Sequence, residues 1–596
     1  MTIRTFILGI ILSIILGSAN AYLGLFAGMT ISASIPAAVL SMGILSLFKN
    51  SSIKENNLVQ TSASAGESLA AGIIFTIPAL ILIGREDGYI GWDNFNYSKI
   101  LLFSMIGGIM GIFFTIPLRN ALIRNAKLSF PEGQATAKVL QVGEDLRQEY
   151  SKASFSNFKS MIYSSVIGAL FKLFQSGFHI LPEVFSKASH FFNSTLAFGL
   201  SLSPALVSVG FIVGKRISLM IFSGGALAWF LILPILSILS EKRIDDPMNF
   251  SYTIWNSQIR YIGVGAMLVG GIWSLISVAS YLLKELSNRN SKSNFDSKDD
   301  LSYRFVIVTM SIIYILLVYL FYQEVGSLLF STGISTIIII MAFLFCSVAA
   351  YMAGIVGSSN NPISGVTIAT IMFASSIILL LKGSIDSGPI ISILIGSVIC
   401  CAAAIGGDNM QDLKTGEIIN ASPWKQQIMQ LVGAISAAVV MGFVIIILHD
   451  AYGIGTGLKA PQANLMKMVS VGIFSKNLPW NMVLTGSFIA ILIIIYNLIF
   501  KSQIQVLAVA VGIYLPLELS TPILIGGLIA SSIKDTDKGI LISSGIITGE
   551  ALMGIFIALP IFLSGNKNWW PQYMPLEIGG IIIFILFLFW FWNRSR

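Results

Sequence analysis

The chain has 596 residues, 55% of them hydrophobic and only 11% charged, with a formal net charge of +8 and a mean hydropathy of +0.83. That balance lies far outside the composition of soluble domains and excludes a large water-soluble fold. Stretches of about 20 apolar residues, enough to cross a hydrocarbon core about 30 Å thick, recur along the whole length, so the fold class expected is an all-α polytopic membrane protein.

In chain order, spans are predicted near 5–26, 32–48, 64–84, 98–118, 161–181, 194–213, 217–240, 260–284, 303–323, 332–353, 363–382, 389–406, 427–448, 482–500, 538–563 and 575–593, about 16 in all. Between Gln503 and Ser532 the motif "YLPLELSTP" interrupts apolar sequence and predicts a broken span or two half-helices. A transmembrane β-barrel would show alternating segments of about 10 residues, whereas "GSFIAILIIIYNLIF" is apolar on every face.

The basic residues mark topology rather than a nucleic-acid partner. With Arg4 inside, the inward loops carry Lys49 and Lys54, then Arg119, Arg124, Lys127, Lys138, Arg147, Lys152 and Lys159, then Lys215 and Arg216, then Lys284, Arg289, Lys292 and Lys298, then Lys414 and Lys425. The C-terminal "WNRSR" is basic too, so both termini are expected in the cytoplasm, on a cell (inner) membrane protein. Residues 449–481, with Lys459, Lys467 and Lys476, fit this rule poorly and read as partly embedded. Arg4, the first apolar stretch and "ANA" at 19–21 imitate a signal peptide; the stretch is read here as the first span.

Cys346, Cys400 and Cys401 lack metal-type spacing and read as small packing residues, and three histidines, His179, His190 and His449, do not make a metal site. No cofactor is expected.

The most hydrophilic stretch, "KELSNRNSKSNFDSKDD" at 284–300, divides the chain into a first half (1–283), a cytoplasmic linker (284–302) and a second half (303–596). The halves share "AYLGLFAGMT" at 21 and "AYMAGIVGSS" at 350, each closing an apolar span, and each then enters an Asn/Gln-rich segment, "NNLVQTSASAGESLAAG" and "GGDNMQDLKTGE". Each also has a proline near a glutamate, in "FPEG" (130–133) and "LPLE" (515–518). Repeats with Gly/Pro-interrupted spans in matching positions point to a substrate site near the membrane midplane.

As a helix, "VQTSASAGESLAAG" sets Gln60, Ser64 and Glu67 on one stripe, carrying Glu67 into a membrane span where an ionised carboxylate is costly; a glutamate at an interfacial helix end is the plainer reading. Glu132, between Pro131 and Gly133, suits either proton handling or a favourable helix start. Asn360, Asn361 and Pro362 read equally as a helix cap or as amides and NH groups that hold a substrate carboxylate. In "GGDNMQDLKTGE", Asp408, Gln411, Asp412 and Thr415 share a helical face, and two carboxylates one turn apart repel, a pair that can share a proton; a solvated loop explains the same letters. Glu518, between prolines, and Glu550, in a glycine-broken span, are further acidic candidates.

Together "NAYLGLFAGMTISASIPAAVLSMGIL", "NLVQTSASAGESLAAGIIFTIPAL", "FPEGQATAKVL", "NNPISGVTIAT", "GGDNMQDLKTGEIINASPWKQQIMQLVG", "LKAPQANLM", "VGIYLPLELSTPILIGGLI" and "ISSGIITGEALMGI", in order from about residue 8 to 560, resemble the prokaryotic branch of the oligopeptide transporter superfamily, which includes the yellow-stripe-like carriers. The resemblance implies a secondary transporter of about 16 helices, importing short peptides or metal complexes of amino-acid-derived chelators by proton symport. Motif membership and physics give Asn20, Tyr22, Gln60, Ser64, Asn360, Asn361, Asn409 and Gln411 as substrate-binding candidates, and Glu67, Glu132, Asp408, Asp412, Glu518 and Glu550 as proton-coupling candidates. The expected partners are that substrate, protons and the lipid bilayer, with a homo-oligomer left open. A channel or a non-transporting scaffold is the alternative. An intramembrane protease is disfavoured, since "IGGD" at 405–408 lacks the first glycine of the Gly-x-Gly-Asp signature and no His-Glu-x-x-His occurs.

Overall fold

The computed structural model describes residues 1–596 except 29, 31, 49–50, 85–87, 126–127, 129, 149–151, 192–193, 241–245, 288–298, 359–360, 362, 383–384, 476–478, 535, 565, 567–568 and 572. Most of the hydrophilic linker lies outside the described residues. The helices are α1 (Ile3–Ala27), α2 (Ser34–Leu45), α3 (Ile53–Thr76), α4 (Ala79–Leu82), α5 (Tyr97–Arg119), α6 (Pro131–Gln148) and α7 (Lys152–Lys172). A hairpin follows, β1 (Val184–Phe191) and β2 (Ser194–Ser201), then α8 (Pro204–Ala226), α9 (Leu233–Leu239), α10 (Pro247–Ile254) and α11 (Arg260–Ser287). The chain continues through α12 (Tyr303–Val325), α13 (Leu328–Val356), α14 (Ile363–Lys382), α15 (Gly388–Ile418), α16 (Pro423–Tyr452), α17 (Pro461–Ser475) and α18 (Trp480–Phe500). It closes with α19 (Val506–Tyr514), α20 (Leu517–Ser531), α21 (Asp537–Ser564) and α22 (Glu577–Ser595).

The fold is polytopic and helical. Among the described residues, 12 helices are long and apolar enough to cross a membrane. The count of about 16 is not reached, for local reasons. The span expected at 32–48 forms α2, a 12-residue helix, and Gln503–Ser532 splits at Leu515 and Pro516 into α19 and α20. The span expected at 194–213 begins as a strand. Residues 194–201 alternate burial along "STLAFGLS", and the two strands pair antiparallel from Val184–Ser201 to Phe191–Ser194.

Two compact units form, each drawing on two separate stretches of chain. Unit 1 holds Met1–Lys159 and Ser274–Lys476; unit 2 holds Ser160–Trp273 and Asn477–Arg596. In unit 1, α15 is buried throughout its span and α3 almost so, whereas α12 leaves most of its apolar surface exposed, the pattern of a central helix pair ringed by lipid-facing helices. Small residues make the central crossing possible: a Cβ on Gly433 would stand 1.9 Å from the Ser62 carbonyl oxygen, and one on Gly72 would stand 2.5 Å from Cys401 Cα. The three cysteines are buried free thiols.

Candidate functional site

The direction of the helices places the site. Gly9 packs on Ser62, Gly17 on Gly66 and Gly24 on Ile74, so α1 and α3 run parallel. Ser34 Oγ lies 3.0 Å from Ser64 Oγ, and Ser41 Oγ donates to the Asn56 carbonyl at 3.3 Å, so α2 runs back along only the first half of α3. α2 is thus a re-entrant half-helix whose N-terminus lies deep in unit 1, level with Glu67. A related arrangement recurs later in the chain, with a helix long enough to span in the place of α2. α13 and α15 run parallel through Cys346–Gly406 and Ala353–Gln411, and α14 runs back along α15 through Thr367–Cys400 and Ile371–Gly396.

α3 and α15 meet antiparallel. Gln60 Nε2 donates to Asp412 Oδ1 at 2.5 Å, Ser68 Oγ donates to Asp408 Oδ2, and Gly72 faces Cys401. Around this crossing three carboxylates are almost fully buried: Glu67 at 2%, Asp408 at 6% and Asp412 at 0% exposure. Glu67 accepts from Asn20 Nδ2 and, at 3.2 Å, from the Ala33 backbone NH at the start of α2. That half-helix therefore directs its N-terminal NH and its dipole toward a carboxylate. Asp412 Oδ1 also accepts from Ser34 Oγ at 3.1 Å. The constellation joins α1, α2, α3 and α15, and every donor is neutral.

Of the sequence candidates, the structure thus brings together Asn20, Gln60, Ser64, Glu67, Asp408 and Asp412. Asn409 is fully buried on the next position of α15. Gln411 spans to the end of α13, accepting from the Gly133 NH at 2.8 Å and donating to the Ala353 carbonyl at 2.6 Å. Glu132 accepts from Ser358 Oγ beside Gly357, and Asn361 Nδ2 reaches the Ala349 carbonyl at 3.3 Å. Asn360 lies outside the described residues. Tyr22 is buried against the rings of Phe26 and Tyr452. Glu518 and Glu550 belong to unit 2. Glu518 accepts from the Tyr252 hydroxyl at the start of α20, and Glu550 accepts from Ser203 Oγ at 2.8 Å and from the Ala205 NH at 2.9 Å, at the start of α8.

Sequence reasoning passed over Ser34, Asn57, Gln426, Gln430 and Gln462. Gln426 and Gln430 stand one turn apart at the start of a long apolar helix, a spacing visible in "PWKQQIMQ". The proline–glutamate pairing of "FPEG" with "LPLE" is also corrected, since the geometry of "FPEG" matches "APQA" at 460–463. The Phe130 NH donates to the Gly354 carbonyl and the Ala460 NH to the Leu25 carbonyl, both at 2.9 Å, and both donors hold positive φ, 46° and 40°. Gln462 Nε2 donates to the Gly28 carbonyl at 2.9 Å, where Glu132 instead faces Gly357 and Ser358. Positions 130 and 460 are separated by the same interval, to within one residue, as positions 25 and 354, a signal already present in the letters.

Compared with known proteins, residues 1–561 match the family model described as OPT oligopeptide transporter protein. The "Putative oligopeptide transporter" of Haemophilus influenzae is 30% identical over 96% of this chain and 99% of its own length. The "Metal-nicotianamine transporter YSL3" of Arabidopsis thaliana is 25% identical over 79% of this chain and 74% of its own length. The "Iron-phytosiderophore transporter YSL15" of Oryza sativa subsp. japonica is 25% identical over 70% of this chain and 66% of its own.

Proposed function

Because the chain belongs to the oligopeptide transporter family, we propose that it is a proton-coupled symporter, a carrier rather than an enzyme, importing short peptides or metal complexes of amino-acid-derived chelators. The names of its relatives, oligopeptide, metal-nicotianamine and iron-phytosiderophore transporters, support both substrate classes. Each class carries carboxylate groups that backbone NH donors and neutral amides can hold.

The observation that carries this reading is the convergence of Glu67, Asp408 and Asp412 on the α3–α15 crossing, with neutral donors around them and the α2 N-terminus beside Glu67. Intramembrane carboxylates without a cationic partner are expensive, and a proton that neutralises one as the carrier reorients makes the crossing affordable. The two three-helix arrangements, α1–α3 and α13–α15, act as the halves of an inverted repeat, exposing the site to each side in turn. The carrier sits in the inner membrane with both termini in the cytoplasm.

The test is uptake into proteoliposomes under an imposed pH gradient, with a panel of di- to tetrapeptides and metal–nicotianamine complexes. Gradient-dependent accumulation of a panel member is expected; flux that ignores the gradient would make the protein a channel, and no flux of any panel member would overturn the reading.

A further inference from the structure

The polar face of the site continues past the Ser68–Asp408 contact, through Gln60 and Asp412, to where α3, α15 and α16 meet. Its hydrogen bonds leave oxygens over. Asn57 Nδ2 donates to Gln60 Oε1 at 3.1 Å, Gln60 Nε2 to Asp412 Oδ1 at 2.5 Å, Gln426 Nε2 to the Asp412 carbonyl at 2.7 Å, and Gln430 Nε2 to the Asn409 carbonyl at 3.5 Å. These partners fix the amides, because turning Gln60, Gln426 or Gln430 over would set oxygen against oxygen. With the amides so fixed, Asn57 Oδ1, Asp412 Oδ2 and Gln430 Oε1 have no hydrogen-bond partner among the described residues. Neither end of the Asn409 side-chain amide has one either, so its oxygen is free to turn inward. All four residues are fully buried. Gln426 Oε1 packs against Gly416 and is left out of this set.

Unmet buried acceptors normally cost free energy, and four on adjacent turns is a surplus that one proton on Asp412, with the single O–H donor it creates, relieves only in part. Hard cations take such oxygen ligands, carboxylate and amide alike. The charge fits a monovalent ion, since Asp412 supplies one negative charge while the neighbouring Lys414 pairs with Glu417 at 2.9 Å.

We propose that Asn57, Asn409, Asp412 and Gln430 form a binding site for an alkali cation of sodium type. This assigns Asp412 to the cation and leaves Glu67 and Asp408 to protons. It concerns equilibrium binding and stands whether or not transport is proton-driven.

The experiment uses the purified full chain in detergent, with no substrate and no gradient. Melting is followed in NaCl, KCl, CaCl2 or choline chloride at matched ionic strength. A saturable rise in melting temperature with Na⁺ or K⁺ and none with choline is expected, the more potent ion naming the natural one. Asp412→Asn should raise the half-saturating concentration at least tenfold, whereas Glu324→Gln, on α12 where the carboxylate pairs with Lys99, should leave it within twofold. Should Asp412→Asn fail to fold, Asn409→Ala and Gln430→Leu carry the same expectation. Equal rises in choline and sodium, protection by calcium alone, or half-saturation unchanged in the site variants that fold would each overturn the assignment. Failure of proton-driven uptake would not touch this result.

Discussion

Ser68 of α3 donates a hydrogen bond to Asp408 of α15, joining the two most deeply buried polar helices of unit 1 at the point where they cross antiparallel. Contacts on either side, Gln60 with Asp412 and Gly72 with Cys401, fan out from this pair in opposite directions along both helices. Glu67 and Asp408 are therefore neighbours although the chain separates them by more than half its length.

The first prediction concerns those two carboxylates. Glu67→Gln keeps an acceptor for one of its two donors, Asn20 or Ala33, and Asp408→Asn keeps one for Ser68, so the fold should persist. Gradient-driven accumulation should fall more than tenfold, with substrate-binding midpoints within about threefold of the parent, a difference below 1 kcal/mol. Accumulation equal to the parent would remove the substituted residue from the proton route.

Close packing at the crossing supplies a second prediction. Gly433 has no room for a side chain against the Ser62 carbonyl. Gly433→Val should force α16 away from α3 and destabilise the protein by about 1–3 kcal/mol, read as a lower melting temperature in detergent. A melting curve superimposable on the parent would refute the contact.

A third follows from a buried ion pair. Arg119 at the end of α5 holds Asp300 through Nε–Oδ1 at 2.9 Å and Nη2–Oδ2 at 2.6 Å, and Gln427 Nε2 adds a bond at 2.7 Å. Both ionic side chains are nearly buried. Asp300→Ala removes both bonds of the pair from a buried guanidinium and should cost about 3–5 kcal/mol. The double variant Asp300→Ala with Arg119→Met should recover part of that loss; a double variant no more stable than the single one would count against the pairing.

Membrane character and the broken segment at 503–532 were legible because apolar length and proline placement are local properties of the letters. The half-helix α2 was not, since "ASIPAAVLSMGIL" is apolar enough to span and only the contacts of Ser34 and Ser41 with α3 show where it stops. The hairpin at 184–201 was missed for a related reason: "STLAFGLS" alternates, yet its apolar neighbours at 202–213 pull the window toward a helix. At the candidate site, Glu67, Asp408 and Asp412 stood out as charges in apolar surroundings. Gln426 and Gln430 did not, because a glutamine near a helix start is ordinary until the facing helices are known.

A fourth prediction exchanges the matched residues Glu132 and Gln462. Glu132→Gln retains an acceptor for Ser358 and should change stability by less than about 0.5 kcal/mol. Gln462→Glu turns a donor into an acceptor facing the Gly28 carbonyl and should cost about 1–3 kcal/mol. Equal melting temperatures for the two variants would contradict the contacts.

That same pair bears on how far the repeat extends. Phe130 and Ala460 anchor two mirrored clasps with the same backbone bond and the same left-handed φ, and the clasps differ where one carries glutamate and the other glutamine. The amide brings an NH2 donor, which Gln462 uses on the Gly28 carbonyl, whereas Glu132 accepts from Ser358. The backbone thus repeats where the side-chain chemistry does not, so exchanging the residues at 132 and 462 changes the chemistry of each clasp while its backbone bond and turn stay the same.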